Sequence, residues 1–156
     1  MIDRLSRHYF NRGLSYAYEN RTKEAVENLK LSVALNRRNT PAWNLLGVCC
    51  YESGRFGMAE YCWKESINNG DTCDAYNYLD SFGDKIRDGK PVLDKATEYI
   101  AGGLYRKAYA LIEKELPEEL RQTQAVRDFT TALRRESRPA LVIFNALKQF
   151  GRKKKA

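Results

Sequence analysis

Residues 40–69 read TPAWNLLGVCCYESGRFGMAEYCWKESINN and contain two helical patterns separated by a short polar break. Apolar residues recur at three- and four-residue steps in each half, which is the spacing of one face of an α-helix. Thr40 is the expected N-cap of the first helix, and Pro41 suits its first turn. Gly54, inside the break, suits the left-handed residue that ends a helix. The stretch therefore predicts a hairpin of two helices.

The same pattern occurs 34 residues earlier in the chain. At this shift bulky residues also match, as Tyr9 does with Trp43 and Leu29 with Trp63. A helical hairpin repeated at a fixed period indicates an architecture in which neighbouring hairpins share one core. The identical matched pairs are Gly13 and Gly47, Arg21 and Arg55, Ala25 and Ala59, Lys30 and Lys64, and Ser32 and Ser66.

A helix–turn–helix period of 34 residues resembles the tetratricopeptide repeat. That family's pattern is Trp, two residues, Leu-Gly, two residues and Tyr, followed later by Ala, three residues and Phe. Small residues lie where the two helices of a hairpin approach closely, and aromatic residues fill the gaps between hairpins. The second unit matches with Trp43, Leu46, Gly47, Cys50, Ala59 and Trp63, and the first with Tyr9, Arg12, Gly13, Tyr16, Ala25 and Leu29.

The resemblance implies an all-α fold, a right-handed superhelical solenoid of antiparallel helix hairpins. Two clear repeats cover about residues 6–39 and 40–73. We expect one domain over residues 1–156 with about nine helices. Its expected parts are two regular repeats at 1–71, a divergent unit with an extra helix at 72–116, a C-terminal helical pair at 117–150 and a basic tail at 151–156.

The divergent unit begins where the 34-residue register slips. DTCDAYNYLDSFGDKIRD, residues 71–88, is helical in pattern, and GKP at 89–91 predicts the end of that helix. A further hairpin is expected from residues 92–101 and 104–116, because Gly103 and Ala108 repeat the spacing of Gly54 and Ala59 at a shift of 49. The last predicted pair covers about 118–135 and 139–150.

Composition is that of an ordinary globular chain, with 43% apolar and 30% charged residues. The first ten residues lack the apolar core of a signal peptide. The longest uninterrupted apolar run, residues 140–144, is far too short to span a bilayer. We therefore expect a cytoplasmic protein without a membrane span, whose four cysteines are reduced thiols.

The four cysteines raise the question of a metal or redox site. Structural zinc needs four converging ligands, usually spaced two to four residues apart, and the chain has no Cys-x-x-Cys. Cys49 and Cys50 would point about 100° apart on a helix and so would not share one ion. Cys50 occupies a position where the repeat has Tyr. We expect the cysteines to serve packing, and we expect no metal and no cofactor.

Other motifs of catalysis are weak in this chain. GDKIRDGKP at 83–91 has five residues between its glycines where a phosphate-binding loop needs four, and it ends in proline. His8 is the single histidine, which excludes paired-histidine metal sites. Glu118 and Glu119 follow Pro117, where negative charge suits the start of a helix. We expect no catalytic site and no enzyme activity.

Surface recognition is therefore the expected function, and the resemblance implies a peptide groove lined by the first helix of each hairpin. A carboxylate clamp of the chaperone-binding subgroup is absent, because its places hold Phe10, Leu14 and Leu45. An apolar partner peptide or helix is expected instead, bound by a non-catalytic scaffold. Alternatively, the chain's own later helices or a second copy, as a homodimer, cover this face. The expected groove residues are Phe10, Leu14, Ala17, Asn44, Val48, Tyr51, Leu93 and Thr97.

The C-terminal fifth is strongly basic within a chain of net charge +7. Residues 121–156 carry ten basic and two acidic side chains, against 17 basic and 18 acidic in residues 1–120. This charge suits a solvated tail, attraction to anionic lipid, or an adaptor that binds nucleic acid through phosphates. The candidate basic residues are Arg127, Arg134, Arg138, Lys148, Arg152, Lys153, Lys154 and Lys155.

Overall fold

The computed structural model describes residues 1–135. Within them the chain forms eight helices and no strand, which confirms the all-α prediction. No helix in this range combines the length and the apolar character needed to cross a membrane. The helices are α1 Ile2–Tyr18, α2 Thr22–Leu35, α3 Thr40–Glu52, α4 Phe56–Asn68, α5 Asp74–Ala101, α6 Tyr105–Glu115, α7 Glu118–Arg121 and α8 Gln124–Arg134.

The described residues divide into two compact units, Met1–Ser81 and a second that begins at Phe82, and the division falls inside α5. The first unit holds the hairpins α1–α2 and α3–α4. The second unit holds most of α5 together with α6, α7 and α8. The helix predicted at 139–150 lies outside the described residues, so the count of about nine stays a prediction, as do the single domain and its predicted parts.

Both hairpins of the first unit turn through the same backbone geometry. Asn20 and Gly54 end the first helix of each hairpin with positive φ angles of 57° and 73°. Beyond Asn20, the amide of Arg21 donates to the carbonyl of Tyr16 at 2.9 Å, and the equivalent bond in the second hairpin is 2.7 Å long. This is the Schellman arrangement, which satisfies carbonyls at a helix end. The predicted role of Gly54 is confirmed.

A third turn of this kind lies in the second unit, between α5 and α6. Gly103 has a φ of 73°, and the amide of Leu104 donates to the carbonyl of Tyr99 at 2.8 Å. Ala108 follows at the predicted spacing and is fully buried, as Ala59 is in the first unit. The turn predicted at Gly103 is confirmed, whereas the separate helix predicted at 92–101 is the last part of α5.

The two helices of each hairpin in the first unit come closest at a glycine. A Cβ atom on Gly47 would lie 2.6 Å from Cδ1 of Trp63, and one on Gly13 would lie 2.7 Å from Cγ of Leu29. These are separations that real Cβ contacts do not reach. Trp63 and Leu29 are fully buried, so neither can move aside without leaving the core. The sequence pattern that pairs a glycine on the first helix with a large apolar residue on the second is therefore a steric requirement.

Matched serines join the two helices of each hairpin at the opposite end. The hydroxyl of Ser32 donates to the carbonyl of Ser6 at 2.8 Å, and Ser66 donates to the carbonyl of Thr40 at 3.3 Å, which is the same bond 34 residues later. In the first hairpin Ser6 also donates to the carbonyl of Ser32 at 2.9 Å. Asn39 donates to both hydroxyls, at 3.3 and 3.2 Å. The period repeats hydrogen bonds as well as residue types.

The predicted N-cap of α3 is wrong by one residue. Asn39, not Thr40, caps this helix, since its side-chain oxygen accepts from the amide of Ala42 at 3.3 Å. The carbonyl of Asn39 also accepts from the amide of Trp43 at 3.2 Å. Asparagine and threonine both suit this position, and only the backbone geometry distinguishes two such neighbours.

The predicted helix end at GKP is also wrong, because α5 runs through residues 89–91 without a break. An interior proline costs a helix about 3 kcal/mol. Pro91 itself is exposed, and a buried stripe continues past it on another face of α5. Gly89 belongs to that stripe and contacts the side chains of Leu116 and Leu120. Burial of the stripe offsets the proline, and its members are Ile86, Gly89, Leu93, Ala96 and Ile100.

We expect Gly47→Ala to lower the free energy of unfolding by about 2 kcal/mol, because the new methyl group overlaps the Trp63 indole. Gly57→Ala is the matched control, since a Cβ there meets nothing within 4 Å. It should be neutral or slightly stabilising. Urea unfolding followed by far-UV circular dichroism measures both. Equal stabilities for the two variants would contradict the steric requirement.

For the proline in α5, we expect Pro91→Ala to raise the free energy of unfolding by about 2 kcal/mol, since it restores an amide donor and removes a clash. Lys90→Ala, at the exposed neighbouring position, is the control and should change stability by less than about 0.5 kcal/mol. Chemical denaturation of the full chain provides the comparison. A loss of stability in Pro91→Ala would show that the buried stripe needs the backbone geometry of proline.

Candidate functional site

Four of the predicted groove residues are half-buried apolar side chains on α1 and α3 of the first unit. Phe10, Leu14 and Ala17 follow one another at steps of four and three residues along α1, so they share one side of that helix. Val48 on α3 is the equivalent of Leu14 at the 34-residue shift, and it is also half-buried. α1 and α3 are in contact. We call these four side chains the apolar face.

Asn44 and Tyr51 lie deeper than the other predicted groove residues of the first unit. Their exposed fractions are 8% and 6%. The Tyr51 ring meets Phe56 edge-on, with ring centroids 5.4 Å apart, and lies 6.1 Å from the Trp63 ring. Both residues therefore belong to the core beneath α3, where they hold the helix that carries Val48.

Leu93 and Thr97, the remaining predicted groove residues, lie in the second unit. Leu93 belongs to the buried stripe of α5 and is 7% exposed. The hydroxyl of Thr97 donates to the carbonyl of Leu93 at 2.8 Å, a bond within their own helix. Their membership of the groove stays a prediction.

A polar cluster built around Asp71 holds the start of α5 against α3 and α4. One carboxylate oxygen accepts from the amide of Cys73 at 2.9 Å, and the other from the amide of Ala75 at 3.1 Å. The second oxygen also accepts from the side-chain amide of Asn44, and it lies 3.1 Å from the Ser66 hydroxyl, whose single proton it shares with the carbonyl of Thr40. Asp71 is thus a helix cap that two other helices also hold in place.

The hydrogen bonds of this cluster stabilise the ionised form of Asp71. Partial burial acts to raise the pKa of the carboxyl group, but the bonds from Asn44, Cys73, Ala75 and Ser66 together outweigh it and lower the pKa to about 2. Sequence reasoning missed this residue and placed Asn44 in an open groove. The available signal was an aspartate at the start of the predicted helical segment 71–88, where a capping side chain is common.

Three of the four cysteines are buried and only Cys73 is exposed. Burial raises the pKa of the Cys49 thiol to about 11. The Cys62 thiol donates a hydrogen bond to Cys50, and this bond together with burial raises the pKa of Cys62, while the same bond lowers the pKa of Cys50. Thiols that stay protonated are poor nucleophiles and poor metal ligands. Within residues 1–135, no three histidine, cysteine, aspartate or glutamate side chains come together as a metal site would require.

Of the predicted basic residues, Arg127 and Arg134 lie within the described range, both on α8. Arg127 donates to the side-chain oxygen of Gln124 at 3.1 Å. Arg134 donates to the Tyr109 hydroxyl at 2.8 Å, and its guanidinium lies 5.6 Å from the centre of that ring. The other predicted members are outside the described residues, and the phosphate-binding surface stays a prediction. They are Arg138, Lys148, Arg152, Lys153, Lys154 and Lys155.

We expect Asp71→Ala to lower the free energy of unfolding by about 2 kcal/mol at pH 7, because it removes a cap and leaves the Asn44 amide without its acceptor. The pKa in the folded state lies below the ordinary value of 3.8. The contribution is therefore complete above about pH 5 and is lost as the pH falls towards 2.

Urea unfolding of the wild type and Asp71→Ala at pH 7, 5 and 3 tests this dependence, and the two stabilities should converge at low pH. Asp71→Asn keeps a capping oxygen without the charge, so it should cost less than the alanine variant at pH 7. A difference between wild type and Asp71→Ala that stays constant from pH 7 to pH 3 would contradict the lowered pKa.

Comparison with known proteins does not assign a family or a function to this chain. No family model, curated protein or solved structure matches the chain. The likeness to the tetratricopeptide repeat therefore rests on the residue pattern given above.

Proposed function

We propose that this protein is a non-catalytic interaction scaffold that binds a partner peptide or helix on the apolar face of α1 and α3. The observation that carries this proposal is that Phe10, Leu14, Ala17 and Val48 stay partly exposed on two adjacent helices, each of which is already held by its own hairpin partner. Apolar surface left open on such a face gains free energy when a partner covers it.

The proposal includes the finer architecture that the resemblance implies. Tetratricopeptide hairpins stack as a right-handed superhelix, and their first helices line its concave side. The shared Schellman turns, the glycine contacts and the repeated serine bond support two such hairpins in the first unit. In this arrangement equivalent residues of successive repeats, such as Leu14 and Val48, would face the same bound segment.

The chemistry of the face favours a partner with an apolar stripe. Leu14 and Val48 are aliphatic, Phe10 offers a ring, and Ala17 leaves space for a larger side chain of the ligand. An amphipathic helix presents apolar residues at i, i+3, i+4 and i+7, which suits a groove between helices. Asn44 and Tyr51 support this surface from beneath rather than touching the ligand.

The reactive side chains support a role in binding rather than catalysis. The thiols of Cys49 and Cys62 are buried and have raised pKa values, so they are unsuited to nucleophilic attack. His8 is the single histidine of the sequence. The free cysteines also suit the reducing cytoplasm, where we propose that the protein acts.

Peptide display on the immobilised full chain, using a random library, tests the proposal. A selected peptide, labelled with fluorescein, should bind the wild type, and Leu14→Glu or Val48→Glu should weaken binding at least about tenfold by placing a charge in the apolar contact. Leu31→Glu is the matched control, because Leu31 is exposed on α2 and lies outside the apolar face. It should bind as the wild type does.

Far-UV circular dichroism and the thermal midpoint of each variant show whether it is folded. Failure to select any peptide would contradict the proposal, as would equal binding by all three variants. Unfolding of Leu14→Glu and Val48→Glu, with Leu31→Glu intact, would also contradict it, because the face would then be part of the core.

A further inference from the structure

An open cavity of about 600 Å³ adjoins the apolar face in the first unit. Helix α1 contributes Arg7, Phe10 and Asn11 to its lining, and the connection between α2 and α3 contributes Arg38 and Asn39. The volume lies within the range of ligand-binding clefts. Phe10 belongs both to this cavity and to the apolar face, so the two surfaces are continuous.

Hydrogen bonds fix the two sides of the cavity relative to each other. Asn39 bridges from the connection to the hydroxyl of Ser6 on α1 at 3.3 Å. The indole N–H of Trp43 donates to the carbonyl of Arg37 at 2.9 Å, and the amide of Arg38 donates to the side-chain oxygen of Asn36 at 2.9 Å. The connection is therefore held in place before any ligand arrives, which reduces the entropy lost on binding.

Charge in the lining favours an anion. Within residues 1–135, the side chains of Arg7 and Arg38 make no ion pair. One carboxylate, Asp3, also lines the cavity and already accepts a hydrogen bond from the side-chain amide of Asn36 at 3.0 Å. Two guanidinium groups against one carboxylate leave a net positive lining, and Asn11 offers an additional amide donor.

We propose that this cavity binds the side-chain carboxylate of an aspartate or glutamate in the peptide that occupies the apolar face. The inference rests on the proposed function and names a chemical requirement of the partner. Guanidinium and carboxamide groups match the planar carboxylate in hydrogen-bond geometry.

The position of the cavity sets where the acidic residue must lie in the partner. Because Phe10 lines the cavity and lies about one turn before Leu14 on α1, the acidic residue would come directly beside the apolar residues that contact the face. These arginines are not the clamp positions, which hold Phe10, Leu14 and Leu45. The partner is therefore an amphipathic segment with an acidic residue at one end of its apolar stripe.

A fragment titration of the full ¹⁵N-labelled chain tests the carboxylate site independently of the apolar face. The probe is N-acetylglutamate N-methylamide, and its glutamine counterpart is the uncharged control. We expect saturable resonance shifts of the side-chain groups of Arg7, Asn11 and Arg38 with the glutamate probe and not with the glutamine probe. Equal shifts with both probes, or no saturation, would overturn the proposal.

Two further probes distinguish other anions that share this chemistry. N-acetylalanine carries only a terminal carboxylate, and tighter binding of this compound would overturn the assignment to a side chain. Inorganic phosphate that saturates the same resonances at lower concentration than the glutamate probe would overturn the choice of carboxylate. The expected order of affinity is the glutamate probe first and phosphate after it.

Charge variants are expected to change the affinity for the glutamate probe in opposite directions. Arg7→Gln and Arg38→Gln should each weaken binding of the glutamate probe at least about threefold, whereas Asp3→Asn should strengthen it about twofold. Asparagine at position 3 keeps an oxygen for the Asn36 amide. Lys23→Gln, on the exposed side of α2, is the charge-matched control and should change nothing. Equal effects of all four variants would overturn the site.

Binding of the selected display peptides distinguishes a failure of the carboxylate site from a failure of the proposed function. If Val48→Glu abolishes peptide binding while Arg7→Gln and Arg38→Gln leave both peptide and glutamate probe unaffected, the carboxylate site is wrong and the apolar face stands. If no peptide binds, the proposed function fails, and the inference about its partner fails with it. Enrichment of aspartate or glutamate beside the apolar residues of the selected peptides supports both.

Discussion

The two helices of each hairpin in the first unit approach so closely that one position on each first helix has room only for a hydrogen atom. Gly13 and Gly47 meet this constraint, and the buried side chains of Leu29 and Trp63 take up the space beside them. Each first helix is fixed in this way from one side. Its other side therefore does not need to pack against the second helix of the hairpin. The partly exposed apolar residues of α1 and α3 are a consequence of that arrangement.

The sequence correctly predicts those features of the fold that depend only on the size or backbone freedom of a single residue. The glycine pairs and the left-handed turn at Gly54 are correct because a side chain would be excluded there whatever lies further away. The end predicted at Pro91 is wrong because proline acts locally, while the stripe of α5 is stabilised by Leu116 and Leu120, more than twenty residues along the chain. The helix-breaking tendency of a proline is overridden where burial against residues distant in the sequence contributes more free energy.

For the candidate site, the repeat pattern predicts which side of α1 and α3 carries the surface, but not the depth of each residue on it. Asn44 and Phe10 are equivalent at the 34-residue shift, yet Asn44 is drawn into the cluster around Asp71. That cluster has no counterpart in the first repeat. The side of a helix follows from spacing alone, whereas the depth of a residue depends on which groups the following segment brings against it.

The length of α5 shows how the repeat tolerates an insertion. α5 has 28 residues and α3 has 13, and this difference of 15 also separates the 49-residue shift from the 34-residue shift. Fifteen residues make about four turns of α-helix, with a rotational offset of about 60°. An insertion of nearly whole turns returns the chain to a similar helical phase, so the turn at Gly103 can form with the same backbone bonds as the turn at Gly54. Duplication or loss of helical turns is thus a route by which such hairpins change length while keeping their turns.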